Sequence, residues 1–170
     1  YRRFTGTFYN ALQTNTALPK GQRTPLNSNL QSLAGFEFNT HSPFADYCKM
    51  SFDCVLNATH DVTITIPEFI PKTDLIWPVN ADQAELVLYM YATNLENHTR
   101  DVTHFTVLPI AKINTPIPET TWTSPILPVG YFVVVCSKLL YYTPNAITTR
   151  NYLNSKTLNP SSIVFAGVVA

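Results

Sequence analysis

The longest apolar run of the chain, residues 130–142, constrains its fold more than any other stretch. The run is rich in β-branched and aromatic residues, and it contains no proline and no glycine after its first position. A run of this kind predicts a central strand that is buried on both faces. Because Ser137 and Lys138 interrupt it, we expect its second half to reach an edge or an interface, with Tyr141 and Tyr142 at the rim.

Alternation of apolar and polar residues predicts further strands. The clearest pattern is at residues 61–67, where Val62, Ile64 and Ile66 point one way and the intervening threonines the other. Residues 35–39 open this regular part of the chain. Comparable segments are residues 47–56, 84–92, 102–110, 146–153 and 161–169, and residues 120–123 could add a short strand. With turn signals between them and no convincing long helix, they predict an all-β fold, an antiparallel β-sandwich of roughly seven to eight strands.

Residues 1–34 differ from the rest and predict an extended N-terminal arm ahead of a single sandwich domain at residues 35–170. Residues 1–9 alternate aromatic and small polar side chains, so they could pair as a strand, whereas residues 10–34 lack sustained periodicity. Such an arm could add a strand to the sheet edge of a neighbouring molecule. The alternatives are that it packs back onto its own domain or is disordered.

Seven short segments together match the pattern of a known family: residues 33–39, 42–44, 62–67, 84–88, 133–135, 152–156 and 162–164. Their order resembles an uncharacterised family of Bacteroidota proteins with immunoglobulin-like domains. The resemblance covers about residues 33–170 and leaves the arm unaccounted for. It implies an immunoglobulin-like sandwich and carries over no activity.

Low charge limits the partners of this chain. Its formal net charge is zero and 13% of its residues are charged, compared with roughly 25% in soluble domains. Nucleic-acid binding requires a basic excess, so we expect no nucleic-acid partner. Weak electrostatic self-repulsion favours other copies of the same chain as partners. No apolar run reaches the roughly 18 residues of a membrane span, so none is predicted.

The three cysteines, Cys48, Cys54 and Cys136, form no metal-binding or redox motif. If Cys48 and Cys54 share one strand, they lie about 20 Å apart, which is too far for a disulfide. Either could meet Cys136 across the core. Otherwise all three are small buried apolar residues.

The densest titratable cluster consists of Asp101 and His104, with His98 nearby. Metal binding and acid–base catalysis use such groups, but at the start of a strand Asp101 and His104 point to opposite faces. No nucleophile, nucleotide-binding or zinc-protease motif occurs. We therefore predict no enzyme activity, no catalytic or metal-binding residue and no cofactor. Turns explain two weaker pairs, His60 with Asp61 and His41 with Asp46.

Aromatic residues make a carbohydrate-binding surface conceivable, although aromatic residues are equally expected in cores and interfaces. The candidates are Tyr47, Trp77, Trp122, Tyr141, Tyr142 and Tyr152. Two sequences, beginning at Asn57 and Asn97, match the signal for N-linked glycosylation.

These patterns favour a non-enzymatic structural subunit that self-assembles into an extracellular or cell-surface fibre or sheath, by strand exchange through its N-terminal arm. The expected contact residues are Tyr1, Phe4, Phe8, Tyr141 and Tyr142. Two alternatives stay open: a carbohydrate-binding surface module with glycans as partners, and a viral or phage coat or decoration protein. Since the chain begins with Tyr1, we also expect that residues before it were removed, by trimming or by cleavage of a precursor.

Overall fold

The computed structural model describes residues 2–95, 101–147 and 149–170. Within these ranges, eight strands form two antiparallel sheets, which confirms the predicted all-β sandwich. The strands are β1 Asp53–Leu56, β2 Val62–Ile66, β3 Gln83–Thr93, β4 Val102–Ala111, β5 Thr120–Thr123, β6 Phe132–Asn145, β7 Thr149–Tyr152 and β8 Ser161–Val168. They are accompanied by the helices α1 Arg2–Gln13, α2 Phe44–Tyr47 and α3 Pro71–Asp74, and by 3₁₀ turns at Pro25–Asn27 and Leu30–Leu33.

The long apolar run forms β6, which is confirmed as the central strand of the larger sheet. β3 lies along one side of it, from Phe132 opposite Thr93 to Tyr142 opposite Gln83. On the other side, β8 pairs with the first half of β6 and β7 with its last residues. The larger sheet therefore runs β4–β3–β6, with β8 and β7 sharing the far side of β6.

The hydrophobic core lies between the two sheets. Alternate residues of β3 and β6 point into it, and Leu88, Met90 and Val135 are fully buried there. The smaller sheet, β1–β2–β5, contributes Val62 and Ile64 of β2, which are equally buried. The alternation that predicted β2 thus reflects one face against the larger sheet and one face away from it.

The prediction of an extended N-terminal arm is wrong for the described residues of this segment. Arg2–Gln13 is an α-helix, and its Phe4, Phe8 and Ala11 pack towards the outer face of the larger sheet. The rings of Phe8 and Phe132 meet edge to face, with centroids 6.1 Å apart. Positions 4 and 8 would lie on one face of a strand, and positions 4, 8 and 11 lie on one face of a helix. The spacing of these residues therefore fits both kinds of structure. Packing on the sheet stabilises the helix, as is usual for short helices.

The rest of the N-terminal segment lies on the same face. Leu30 and Leu33 are buried in one cluster with Phe132 of β6 and Ile163 of β8. The segment therefore packs back onto its own sheet, which was one of the alternatives to an arm. It covers the outer face over β6 and β8, whereas β3 and β4 continue beyond it.

Residues 35–38 extend the larger sheet beside the first half of β8. The Gly35 N–H donates to the Ile163 C=O at 2.7 Å, and the Ile163 N–H donates to the Phe36 C=O at 2.9 Å. A third bond, 2.9 Å long, joins the Phe38 N–H to the Ser161 C=O. Gly35 enters this pairing with φ +84°, a conformation that favours glycine. This end of the β8 edge is therefore paired.

The docking of α1 can be tested with two neighbouring aromatic residues. We expect Phe8→Ala to lower the free energy of unfolding by about 1–3 kcal/mol, less than for a fully buried phenylalanine, and to make residues 2–29 more sensitive to protease. Tyr9→Ala is the matched control, because Tyr9 is 53% exposed. Urea denaturation and limited proteolysis measure both effects. Equal behaviour of the two variants would contradict the docking of Phe8.

The pairing of β6 with β8 contains a buried hydroxyl pair that a double-mutant cycle can test. The hydroxyl oxygens of Ser137 and Ser162 are 3.2 Å apart, and both side chains are buried. Each single substitution by alanine leaves the other hydroxyl without this partner, so we expect a cost of about 1–2 kcal/mol for each. The double variant should cost less than the sum of the two in urea denaturation. Additive costs would show that the two hydroxyls do not interact.

Candidate assembly surface

β4 forms one edge of the larger sheet, and the backbone of its odd-numbered residues faces away from the fold. Directly after β4, the Lys112 N–H donates to the Asp82 C=O at 2.9 Å, and the register with β3 continues from there without a shift. Because hydrogen-bonded residues alternate along an antiparallel pair, the even-numbered residues of β4 bond to β3. The N–H groups of Thr103, Phe105 and Val107 therefore point outward, without a partner among the described residues.

Pro109 supports this assignment independently. It occupies the next outward position of β4, where its missing N–H removes no hydrogen bond to β3. Proline within a sheet is confined to such edge positions. The free edge thus extends from Thr103 to Val107 and is bounded by Pro109.

The side chains at this edge form an exposed apolar patch. Phe105 is 63% exposed, Tyr89 of β3 is 43% exposed and Val107 is 40% exposed. Phe105 lies directly opposite Tyr89, and Val107 lies opposite Val87. Adjacent large apolar side chains on a surface are typical of interaction sites. We call the free edge of β4 together with Tyr89, Phe105 and Val107 the β4 surface.

Charged side chains that normally protect an edge strand are missing from β4. Residues 102–111 contain no Lys, Arg, Asp or Glu. Natural proteins place charges, proline, bulges or covering segments on such edges to prevent pairing with other chains. β4 has only Pro109, close to one end. The charges lie just outside the strand, with Asp101 before it and Lys112 after it.

The inner face of β4 is closed by a stacked ring pair. The imidazole of His104 lies on the indole of Trp122 in β5, with centroids 5.6 Å apart and the ring planes at 14°.

Asp101 has its contact on the outer face, where a hydrogen bond with Asp101 raises the pKa of the Tyr91 phenol. Asp101 and His104 are therefore occupied in different contacts on opposite faces, and His98 lies outside the described residues. The structure does not bring these three residues together as an acid–base or metal site.

Asp61 and its neighbours stabilise the turn between β1 and β2. The Asp61 carboxylate accepts hydrogen bonds from the Thr59 hydroxyl and, at 2.6 Å, from the Asn57 amide, and these bonds lower the pKa of Asp61. The Asn57 amide also donates to the Thr63 hydroxyl oxygen at 2.7 Å. The first glycosylation signal is thus folded into the turn. The second, at Asn97, lies outside the described residues.

The remaining histidines and the cysteines are not arranged for chemistry. His60 lies in the same turn with φ 66°, and His41 is exposed. Within the described ranges, no group of three or more His, Cys, Asp or Glu could hold a metal ion. All three cysteines are free thiols, and burial raises the pKa of Cys48 to about 12 and that of Cys54 and Cys136 to about 11. They stay protonated at neutral pH and are weak nucleophiles.

The predicted contact residues of the N-terminal segment face the fold. Phe4 and Phe8 are half-buried between α1 and the sheet, and the ring of Phe4 also meets that of Phe36 with centroids 5.5 Å apart. Tyr1 lies outside the described residues. Neither described phenylalanine is presented to a neighbouring molecule in this conformation.

The rim expected at the end of the long run is not present. Tyr141 is fully buried, and its hydroxyl donates to the Ile76 C=O at 2.8 Å. Tyr142 is buried on the opposite face, where its ring meets that of Tyr152 with centroids 5.8 Å apart. β7 pairs with this end of β6, so the second half of the run is as enclosed as the first.

A charged cluster fixes β7 to β3. Arg150 Nη1 lies 2.7 Å from Glu85 Oε1, and the Tyr152 hydroxyl donates to Glu85 Oε2 at 3.1 Å. The Arg150 guanidinium also lies 5.3 Å from the centre of the Tyr142 ring.

Among the six aromatic residues proposed for sugar stacking, only Tyr152 is exposed. They therefore do not form a continuous platform.

A groove follows the second half of β8, between β1 and residues 26–31. Its larger part has a volume of about 620 Å³ and is lined by Cys54, Leu56 and Phe165 among others. An adjoining cavity of about 350 Å³ shares Cys54 and Phe165 and includes Asp53. The lining does not bring together a set of polar groups that would define a ligand.

Comparison with models of known protein families and with curated proteins found no match to this chain. The resemblance to the Bacteroidota immunoglobulin-like family therefore stays a prediction. None of the helices in the described part of the chain is long and apolar enough to span a membrane.

Sequence reasoning located β4 but not its surface, although a signal was present. Val102 and Leu108 make one face of the strand apolar, and Phe105 and Val107 make the other face apolar as well. A strand of an antiparallel sheet with one face in solvent normally carries polar residues there. Apolar residues on both faces, without a charge, thus indicate either a fully buried strand or an interaction surface.

The cluster that holds β7 can be tested by comparing its two charged residues. Arg150→Met leaves the buried Glu85 carboxylate with fewer partners, whereas Glu85→Gln removes the buried charge while Arg150, which is partly exposed, keeps its contact with the Tyr142 ring. We therefore expect Arg150→Met to lower the free energy of unfolding by about 1–2 kcal/mol and to cost more than Glu85→Gln. Chemical denaturation measures both. The opposite order would show that Glu85 does not depend on Arg150.

Proposed function

We propose that this chain is a non-enzymatic structural subunit that associates with copies of itself, in a fibre, sheath or related assembly outside the cell or on its surface. The observation that carries the proposal is the β4 surface: a free, uncharged strand edge beside exposed Phe105, Val107 and Tyr89. An edge of this kind is a template for pairing with another strand.

The chemistry of the β4 surface supports association in two ways. The outward N–H and C=O groups of the edge can be paired by another extended strand, which gives directional hydrogen bonds. Apolar side chains next to the edge add burial of Phe105 and Val107 against the incoming molecule. A net charge of zero means that copies approach without overall electrostatic repulsion.

In this proposal α1 belongs to the subunit and is not the element that is exchanged. Strand exchange through the N-terminal segment would require Phe8 and Ala11 to leave the sheet, which would expose Phe132 and Ile163 to water. Association at β4 needs no such rearrangement, because none of the described residues pairs with its outer edge. We therefore replace the N-terminal contact residues with those of β4.

One further proposal also depends on association through a sheet edge. A coat or decoration protein would associate in this way, and a closed particle instead of a fibre in electron micrographs would favour it. We propose separately that the sandwich belongs to the Bacteroidota immunoglobulin-like family, from which no activity carries over.

A charge placed on the β4 surface tests the proposal. We expect the unmodified protein to self-associate with rising concentration in sedimentation velocity and to form ordered assemblies in electron micrographs. Phe105→Lys should raise the concentration needed for association by about tenfold or more, because it introduces like charges at the contact.

Val55→Lys is the matched control, since Val55 is an exposed apolar residue of β1, on the other sheet. It adds the same charge and should leave association unchanged. An unmodified protein that stays monomeric at every concentration would overturn the proposed function. Equal effects of the two lysine variants would show that association does not involve the β4 surface.

A further inference from the structure

We infer that the partner of β4 is β4 of a second copy, paired antiparallel about a two-fold axis near Thr106. This inference rests on the proposed function and deepens it by naming both sides of the contact. It makes the larger sheets of the two copies continuous, so that β4 of each copy becomes an interior strand. The interface is isologous, because the same surface contributes from both sides.

The backbone of β4 is suited to pairing with itself. Thr103, Phe105 and Val107 each direct both N–H and C=O away from β3, at the spacing of hydrogen-bonded residues in an antiparallel pair. With the axis at Thr106, Phe105 of each copy lies opposite Val107 of the other copy. Both residues then exchange two hydrogen bonds with their partner. Thr106 of one copy lies opposite Thr106 of the other. No hydrogen bond joins these two residues, because the N–H and C=O of Thr106 are already directed to β3.

Pro109 is compatible with this arrangement. In the same register it lies opposite Thr103 of the other copy, whose N–H can donate to the Pro109 C=O. The missing N–H of Pro109 removes one possible bond at each end of the interface and none at its centre.

The antiparallel direction follows from the backbone and from the apolar side chains, and not from charge. β4 is uncharged between Asp101 at one end and Lys112 at the other. Asp101 is hydrogen-bonded with Tyr91 on the outer face, whereas Lys112 Nζ lies 5.7 Å from the centre of the Trp77 ring on the inner face. These two charges therefore do not meet across the axis.

The exposed side chains gain contacts in the same geometry. Phe105 and Val107 lie on the outer face, so pairing brings the phenyl ring of one copy against the valine of the other. An aromatic residue opposite a β-branched residue is a favourable cross-strand pair. The two patches, each with Tyr89 beside Phe105, then join across the axis into one apolar surface.

Backbone pairing is tested by substituting Val107 in two ways. Val107→Pro removes an outward N–H without breaking a bond to β3, as Pro109 already does two residues later. Val107→Ala keeps the N–H and shortens the side chain. If the edges pair, Val107→Pro should raise the dissociation constant of the dimer by about tenfold or more, which equals about 1.4 kcal/mol, and Val107→Ala should have the smaller effect.

The direction of pairing is tested by charges at the centre of the contact. Phe105→Lys and Val107→Glu should each weaken association by about tenfold or more, because each replaces an apolar contact with an unpaired charge. Phe105 of one copy lies opposite Val107 of the other, so the double variant places opposite charges together and should restore part of the association. Val55→Lys, on β1 of the other sheet, should have no effect. If Val107→Pro does not fold, this series decides alone.

The outcomes separate the inference from the function on which it rests. A protein that is monomeric at every concentration overturns both. Association that survives Val107→Pro in a folded variant, or a double charge variant that associates no better than the single ones, overturns the pairing of β4 with itself and leaves self-association in place. Loss of association in Val107→Pro together with recovery in the double charge variant supports the two-fold pair.

Discussion

The fold depends on the burial of β6 on both faces. On the inner face, Val135 and its neighbours pack with β3 against the smaller sheet, and on the outer face Phe132 packs against α1 and the residues around Leu33. The hydrogen bonds of β6 to β3, β7 and β8 bring four strands of the larger sheet together around it. A strand in this position is desolvated on both faces and both edges, so an interior polar group requires a partner. Ser137 meets this requirement through Ser162.

Cover on the outer face is uneven, and this unevenness produces the candidate site. The N-terminal segment lies over β6 and β8, while β3 and β4 carry Tyr89 and Phe105 without a covering element from the described part of the chain. The opposite flank is better protected, because residues 35–38 pair with β8. An unpaired strand edge therefore lies beside exposed apolar side chains of the same sheet.

The all-β class and the central position of β6 could be predicted from the sequence, because both follow from the spacing of apolar residues along single strands. β2 was equally predictable, since its threonines and its aliphatic residues alternate without exception. α1 was not, because Phe4 and Phe8 fit a strand and a helix alike, and only contact with Phe132 distinguishes the two. The β4 surface was missed for a related reason: whether an apolar face is covered depends on segments distant in sequence. Tyr141 shows the converse, since β7 and Ile76 enclose a residue that its polar neighbours had suggested was peripheral.

Pro109 has a consequence for how freely a strand could slide along β4. A short apolar edge offers several pairing registers of similar energy, displaced by two residues from one another, unless a side chain or a backbone feature favours one of them. Pro109 has a ring where another residue would have an outward N–H. If the partner strand is displaced so that Pro109 lies nearer the centre of the contact, the missing hydrogen bond also lies nearer the centre. The residue thus acts as a stop at one end of the edge. A single proline thereby reduces the number of interchangeable alignments from one side, which favours an ordered contact over disordered association.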